Sequence, residues 1–573
     1  MPRLAISRFL PVIGWLPDCT PKAIPADVIA GIALAGLLVP EGMAYAGIAG
    51  VAPQMGLYAA MAGMFIYALF GTSRQLAVTS TSSSAAMLAA LVAPIAAGDS
   101  TQYAVLASAA TVIAGLIFLL GGVLKLGTVS EFISKPVLKG FVFGLALTIM
   151  VKQAHKLTGI SAGKGNFFHL VWHLITSLKE ANLWVCAIGA AALAIMFLFG
   201  AFAPRVPSAL VVMVLGVLSV SWFGMRQHNV EVVGTIQAGM PSLSLPRVDE
   251  DDLTGLFVGA IGIVLVLTAE ALAAVRTFAA KHKYEINPNQ ELCAMGAANI
   301  ASGLFGGIIV GGGMSGTAAN DSGGARTQLS TITSAIFIGL TLAYLLPLIR
   351  NLPEAVLGAI VVHAVTHLAD VATLRNYVKL RSGSFAGALI ALFAVLQMGI
   401  LRGLIFAVGI TLVIVMRKLS TPQDSVLGRL GHSGNFVDVA RHPEAEQIPY
   451  LLIFRPNGML FFANANRIRN RLRELTSQSD LTRAVLMNLE ASPEIDVTTL
   501  EMLEQLRSEL HESGIELYLA RVPDRVHDLF DRSGFIERVG SNRIFPGVDS
   551  AVKAFLKDGA PLDGTHIESP QSW

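Results

Sequence analysis

Apolar runs of about 20 residues recur from residue 25 to residue 418, and a bilayer core about 30 Å thick asks for helices of that length. "LASAATVIAGLIFLLGGVL" (106–124) and "GLFVGAIGIVLVLTAEALAAV" (255–275) are two of about fourteen such runs, several of them short or interrupted by glycine. Backbone in lipid must satisfy its own hydrogen bonds, so the runs are expected as helices. Composition agrees. Only 14% of the 573 residues are charged, against about a quarter in soluble domains, and mean hydropathy is +0.62. A net charge of +2 gives no reason to expect nucleic acid. Cys19, Cys186 and Cys293 are too far apart for a disulfide framework or a zinc site.

The start, "MPRLAISRFLPVIGWLPD", has too short and too proline-broken an apolar run for a signal peptide, so residues 1–24 are expected in the cytoplasm. A first transmembrane repeat is expected over 25–224, an extracytoplasmic loop with the acidic "PRVDEDD" over 225–252, and a second repeat over 253–418. Lys125, Lys135, Lys139, Lys281, Lys283, Arg375, Lys379, Arg381, Arg417 and Lys418 fall on the N-terminal side; Lys152, Lys156 and Lys164 fall opposite. After a linker of turn formers at 419–446, short apolar strands alternate with helical patterns over 447–557. That texture predicts a small cytoplasmic α/β domain. Residues 558–573 read as a disordered tail.

One stretch does not suit a membrane helix: "GGIIVGGGMSGTAAND" (306–321). Its Gly311, Gly313 and Gly316 match G-x-G-x-x-G, but that fingerprint needs a soluble βαβ unit and a later ribose-binding acid. The stretch has a twin. With Leu-Phe-Gly of 69–71 placed on 304–306, Ser80 falls on Ser315 and Ser82 near Thr317. Each copy has an extended run, then small hydroxyl residues, then an alanine-rich helix. Inverted repeats broken at matching positions are the pattern of secondary transporters. Two half-helices would then meet near the midplane, N-terminus to N-terminus. Their free N–H groups and partial positive charge make an anion site without a basic side chain. Such irregular backbone is tolerated at membrane depth where it lines a cavity. Close helix packing at glycine is the plainer alternative.

Two acids lie inside apolar runs, Glu41 in "LLVPEGMAYAG" and Glu270 in "VLVLTAEALAAV". An acid at membrane depth is a functional candidate by default. Tyr45, four residues after Glu41, shares its helix face. Burial and a neighbouring anion both favour a neutral carboxyl, so Glu41 is a candidate to take up H⁺ as an anion binds. Sodium (Na⁺) coordination is the competing role, and holding a broken helix end in shape is the structural one.

These residues resemble the sulfate permease (SulP) family of anion transporters. The resemblance rests on "PEGMAYAGIAGVAPQMGLYAA" (40–60), "YALFGTSRQLAV" (67–78), "NQELCAMGAANIASGLFGG" (289–307) and "SGTAANDSGGART" (315–327). "RPNGMLFFANA" (455–465) and "IDVTTLEML" (495–503) resemble the family's STAS domain. The resemblance implies an α-helical polytopic membrane protein of fourteen spans, as 7+7 inverted repeats with two broken half-helices, followed by the STAS domain. It implies a core that moves past a gate in an elevator-like cycle, within a homodimer, and a possible cytoplasmic protein partner at the STAS domain. The anion site carries over to Ser80, Thr81 and Ser82, then Met314, Ser315, Gly316 and Thr317, with Tyr45 lining it. Glu41 stands where animal exchangers often carry Gln, which points to coupled symport. Many members carry Arg where this chain has Gly316, and Gly-Pro where it has Thr79-Ser80. A phosphorylatable serine of soluble STAS proteins corresponds to Thr498 or Thr499, whose plainer role is in a helix cap built on Asp496 or a threonine.

His363 and His367 are spaced for one metal but have no evident third ligand. "GGMSGT" (312–317) lacks the last glycine of a nucleophile elbow, and no phosphate-binding G-x-x-x-x-G-K-[ST] is present, so neither an enzyme nor a nucleotide-driven pump is expected. The expected activity is secondary transport of sulfate, bicarbonate or a C4-dicarboxylate across the inner (plasma) membrane, coupled to H⁺ or Na⁺. An uncoupled exchanger or channel, and a STAS-linked anion sensor, are the alternatives.

Overall fold

The computed structural model describes residues 10–559, apart from 22, 128–134, 164, 204–205, 235–238, 367, 380–382, 422, 432–433 and 479–480. His367, Lys164, Arg381 and most of the expected tail lie outside the described residues. The chain forms two compact units, one up to Thr411 and one from Leu412.

The first unit is helical. After a short turn at Val12–Trp15 come α1 (Ile24–Ala49), α2 (Pro53–Phe70), β1 (Val78–Thr79), α3 (Ser82–Ala96), α4 (Ser100–Val123), α5 (Lys135–Thr158), α6 (Phe167–Thr176), α7 (Leu183–Phe202) and α8 (Ser208–Phe223). The second half follows the same order. It holds α9 (Glu250–His282), α10 (Pro288–Leu304), β2 (Gly311–Gly312), α11 (Met314–Ser322), α12 (Leu329–Ile349), α13 (Glu354–Thr366), α14 (Val371–Lys379), α15 (Gly383–Met398) and the start of α16 (Ile400–Ser420), whose residues from Leu412 belong to the second unit. Among the described residues, eight of these helices are each long and apolar enough to cross a membrane, the stretch Glu354–Lys379 that holds α13 and α14 makes a ninth, and four shorter ones are also apolar. Hydropathy alone therefore stops short of the fourteen expected spans. α10 is too polar to be counted this way, and α11 is a half-helix.

Local chemistry sets the helix ends. Proline in the first turn starts α1, α2 and α10, where a missing N–H does no harm. Gly50 closes α1 in the left-handed region at φ 77°, and the Tyr103 hydroxyl donates to the Ala49 carbonyl at 2.7 Å. Packing uses missing side chains. A Cβ on Gly296 of α10 would sit 2.7 Å from the Leu119 nitrogen of α4, and one on Gly115 of α4 would sit 2.6 Å from the Ile300 nitrogen of α10. Small residues let two membrane helices meet backbone to backbone.

The second unit is a six-stranded mixed sheet in the order β4-β3-β5-β6-β7-β8. Its strands are β3 (Asp424–Arg429), β4 (Phe436–Asp438), β5 (Leu451–Pro456), β6 (Ala484–Asn488), β7 (Glu516–Ala520) and β8 (Ile544–Phe545). The last four are parallel; β3 runs antiparallel to both β4 and β5. Leu472, Leu506 and Phe530, from the helices α17 (Ala465–Ser477), α18 (Val497–Glu512) and α19 (Asp524–Arg532), cover one face with Phe454 and Met487. Val552 and Phe555 cover the other. Every residue of β6 is buried, as a central parallel strand should be. The stretch 419–446, read from sequence as a linker, holds the end of α16 and the two strands β3 and β4. Its turn formers bound those strands rather than replace them.

Candidate functional site

The two extended stretches meet. β1 and β2 pair antiparallel, Val78 opposite Gly312 and Thr79 opposite Gly311. This sends α3 and α11 away from one short ribbon in opposite directions, with their N-termini at its two ends. The two helix caps touch: a Cβ on Gly313, the cap of α11, would lie 3.1 Å from Thr81 Cγ2, and Thr81 caps α3. Gly312 serves packing instead. A Cβ there would sit 2.9 Å from the Ala271 Cβ on α9, so this glycine lets α9 lie against the ribbon.

The two ends differ in how their N–H groups are met. α3 has a full capping box: the Ser84 nitrogen donates to Thr81 Oγ1 at 3.1 Å, and the Thr81 nitrogen donates to Ser84 Oγ at 2.9 Å. Gly313 gives α11 no side-chain cap, so the first-turn donors of α11 depend on something other than a cap. Met314 and Ser315 in that turn are exposed, while Gly316 and Thr317 are buried. Thr317 is already engaged, donating to the Gly313 carbonyl at 2.6 Å and accepting from the Ala77 nitrogen at 3.3 Å. Ser80 Oγ is buried without a hydrogen-bond partner among the described residues, and Ser82 is only 6% exposed. A buried hydroxyl left unpaired beside two helix N-termini is the kind of group an anion satisfies.

Glu270 reaches this place directly, and Glu41 lies on the α1 face that meets α11. Glu270 Oε2 on α9 accepts from Ser83 Oγ at 2.8 Å, and Ser83 Oγ lies 2.9 Å from Thr81 Oγ1. A carboxylate accepts about four hydrogen bonds, so most of its capacity remains. Glu41 is 7% exposed and interacts with Tyr45. On α1, Leu38 packs near Gly316, where an added Cβ would lie 3.6 Å from Leu38 Cδ2. Leu38, Glu41 and Tyr45 are spaced i, i+3, i+7, so the face that meets α11 continues into the acid and the phenol. No basic side chain is among these residues.

Ser83 and Asp27 were not singled out from sequence. Asp27, fully buried in the first turn of α1, accepts from the Arg326 nitrogen at 2.6 Å, the Thr327 nitrogen at 3.1 Å and Thr327 Oγ1 at 2.7 Å. It fastens the loop that leaves α11. His363 packs edge-on against Phe197.

A family model for the sulfate permease family matches residues 24–394, and one for the STAS domain matches residues 442–551. The chain belongs to the sulfate permease family. The chain is 34% identical over 551 residues to a probable sulfate transporter of Mycobacterium tuberculosis strain H37Rv, across 95% of this chain and 98% of that one. It is 30% identical to the high affinity sulfate transporter 2 of Stylosanthes hamata, across 96% and 87%. The structure of the murine solute carrier 26 family member A9 anion transporter, inward-facing, superposes with a TM-score of 0.89 over 97% of this chain and 95% of that one. At 19% identity this shows a shared fold. The transmembrane domain of a cyanobacterial bicarbonate transporter, BicA, matches 68% of this chain and 98% of its own with a TM-score of 0.60 and 26% identity.

In the STAS domain, Asp496 is the cap of α18, accepting from the Thr499 nitrogen at 2.9 Å and from Thr499 Oγ1 at 2.6 Å. Burial pushes the Asp496 carboxyl up, but the bonds from Thr499 and from the Phe462 nitrogen outweigh it and hold the carboxyl below its usual range. Thr499 is buried in this cap, and Thr498 is exposed.

Proposed function

We propose that this protein is a secondary active transporter of a small anion (sulfate, bicarbonate or a C4-dicarboxylate), working as a symporter coupled to H⁺ or Na⁺. The carrying observation is the contact of the two helix caps, Thr81 against Gly313, with the Glu270 carboxylate on Ser83 and no basic side chain among the site residues. The anion is held by first-turn N–H groups of α3 and α11, with Ser80, Thr81, Ser82, Met314, Ser315, Gly316 and Thr317 around it and Tyr45 at the side. Two like unit charges about 6 Å apart repel by about 3 kcal/mol at an effective dielectric of about 20. Neutralising the acids by a proton or a sodium ion removes that penalty, so anion and cation bind together. The sulfate transporters and the bicarbonate transporter among its relatives support the ligand class.

The cycle we propose is elevator-like within a homodimer in the plasma membrane, the STAS domain on the cytoplasmic side and open to a protein partner there. The Glu270–Ser83 bond favours a second reading, in which the acids only brace α3 and the anion moves by uncoupled exchange.

Ser315→Asp tests the site. Aspartate suits a helix N-terminus, so the protein should fold, but its charge faces the anion. The half-saturating anion concentration in proteoliposome uptake is expected to rise by about tenfold or more. Wild-type uptake by this variant would place the anion elsewhere.

A further inference from the structure

Lys156 stands in the last turn of α5, an ordinary place for lysine on a helix. Its side chain does not run out into water. It is 17% exposed, and its Nζ lies 3.1 Å from Glu354 Oε2 in the first turn of α13. Two glycines make the room for it. A Cβ on Gly358 of α13 would lie 3.0 Å from Lys156 Cβ, and one on Gly47 of α1 would lie 3.5 Å from Lys156 Nζ. The ammonium thus rests on the last turn of α1. Tyr45 to Ala49, which end α1, include no base of their own, and a helix C-terminus carries about half a negative charge. Lys156 supplies from α5 the cation that α1 lacks. Since α13 packs against both α1 and α5, one side chain joins three helices. A polar cavity of about 460 Å³ opens beside it, lined by His155, Glu231 and Glu354 among others. Those carboxylates make the cavity no place for an anion, so the role of Lys156 lies in its contact with α1.

We propose that Lys156 is a positioning residue for transport, holding the end of α1 against α5 and α13 and so favouring the conformation closed at that end. Glu41 and Tyr45 stand within two turns of Gly47 on the same helix, so a shift of this end carries part of the site with it. In the elevator-like cycle proposed above, α1 travels past α5 and α13, and the ammonium must leave the α1 backbone before that end opens. The inference rests on the transport reading for its kinetic consequence only; the contact does not need it.

The test is the distance between spin labels at Ala52→Cys and Ser161→Cys, exposed positions three residues past the ends of α1 and α5. It is measured on the full-length protein with Cys19→Ser, Cys186→Ser and Cys293→Ser, in lipid nanodiscs. Lys156→Met keeps the apolar stem and drops the charge. It is expected to raise the population at longer distance by about threefold or more, and Lys156→Arg to return it to that of the parent. Gly47→Val reaches the same end from α1: it displaces the ammonium, leaves both members of the Lys156–Glu354 pair in place, and should raise the same population. In oriented vesicles, the half-saturating anion concentration for entry on the side where α1 ends should fall by a similar factor in Lys156→Met, because the state open there is more populated. Distances unchanged by both Lys156→Met and Gly47→Val overturn the proposal. A lowered thermal midpoint with no change in distance or half-saturation also overturns it, and makes Lys156 a structural brace. An absence of anion uptake by the wild type would count against the transport reading and leave the distances to decide the role of Lys156.

Discussion

Glu41→Gln is expected to abolish gradient-driven accumulation of the anion while leaving the protein folded and the anion able to equilibrate. Glu41 is almost fully buried, on the face of α1 that runs from Leu38 beside α11 to Tyr45. Glutamine keeps its size and its carbonyl acceptor. It has no charge to neutralise, so it neither takes up and releases a proton nor holds a sodium ion. A pH step of about one unit stores about 1.4 kcal/mol per proton, enough for about tenfold accumulation. Steady-state labelled anion in proteoliposomes should fall from that level to the concentration outside. If Glu41→Gln accumulates anion as the wild type does, with the same pH and sodium dependence, Glu41 is a structural residue.

Asp27→Ala is expected to unfold much of the membrane unit. Three donors converge on this buried carboxylate: the nitrogens of Arg326 and Thr327 and the Thr327 hydroxyl. Each buried donor left unpaired costs about 1–3 kcal/mol, and alanine strands all three, so the sum rivals the net stability of about 5–15 kcal/mol typical of a protein. Asp27→Asn keeps one acceptor oxygen and should be milder. The readout is the folded fraction on size exclusion and the thermal midpoint in detergent. A wild-type midpoint for Asp27→Ala would mean that this loop is held by something else.

The difference between these two acids shows where sequence reasoning reaches. Glu41 stands in the middle of an apolar run, so its cost to bury flags it at once. Asp27 stands in the first turn of a helix, where an acid is ordinary, and its partners lie about 300 residues away. The paired hydroxyl stretches were legible because the two copies align on Leu-Phe-Gly, and the fold places their caps in contact. The separate duties of those hydroxyls were not legible. Thr317 and Ser80 are both small hydroxyl residues of these stretches, but Thr317, inside α11, donates to the Gly313 carbonyl, whereas Ser80, ahead of the Thr81 cap, has no partner among the described residues. In the second unit the βα alternation was plain. The strands β3 and β4 were hidden because β3 is polar at both ends, β4 has only three residues, and both are defined by pairing, β3 with β4 and with β5. For Thr498 and Thr499, only the cap geometry separates an exposed hydroxyl from a buried one.

The most direct test of the central claim is uptake of labelled sulfate, bicarbonate and fumarate into proteoliposomes of the full-length protein, under an inward proton gradient, an inward sodium gradient or neither. The account predicts that one of these anions accumulates above its external concentration under one of the gradients, and not without it. Equal uptake with and without gradients would contradict coupled symport and leave exchange. No uptake of any of the three would contradict the transport of these anions itself.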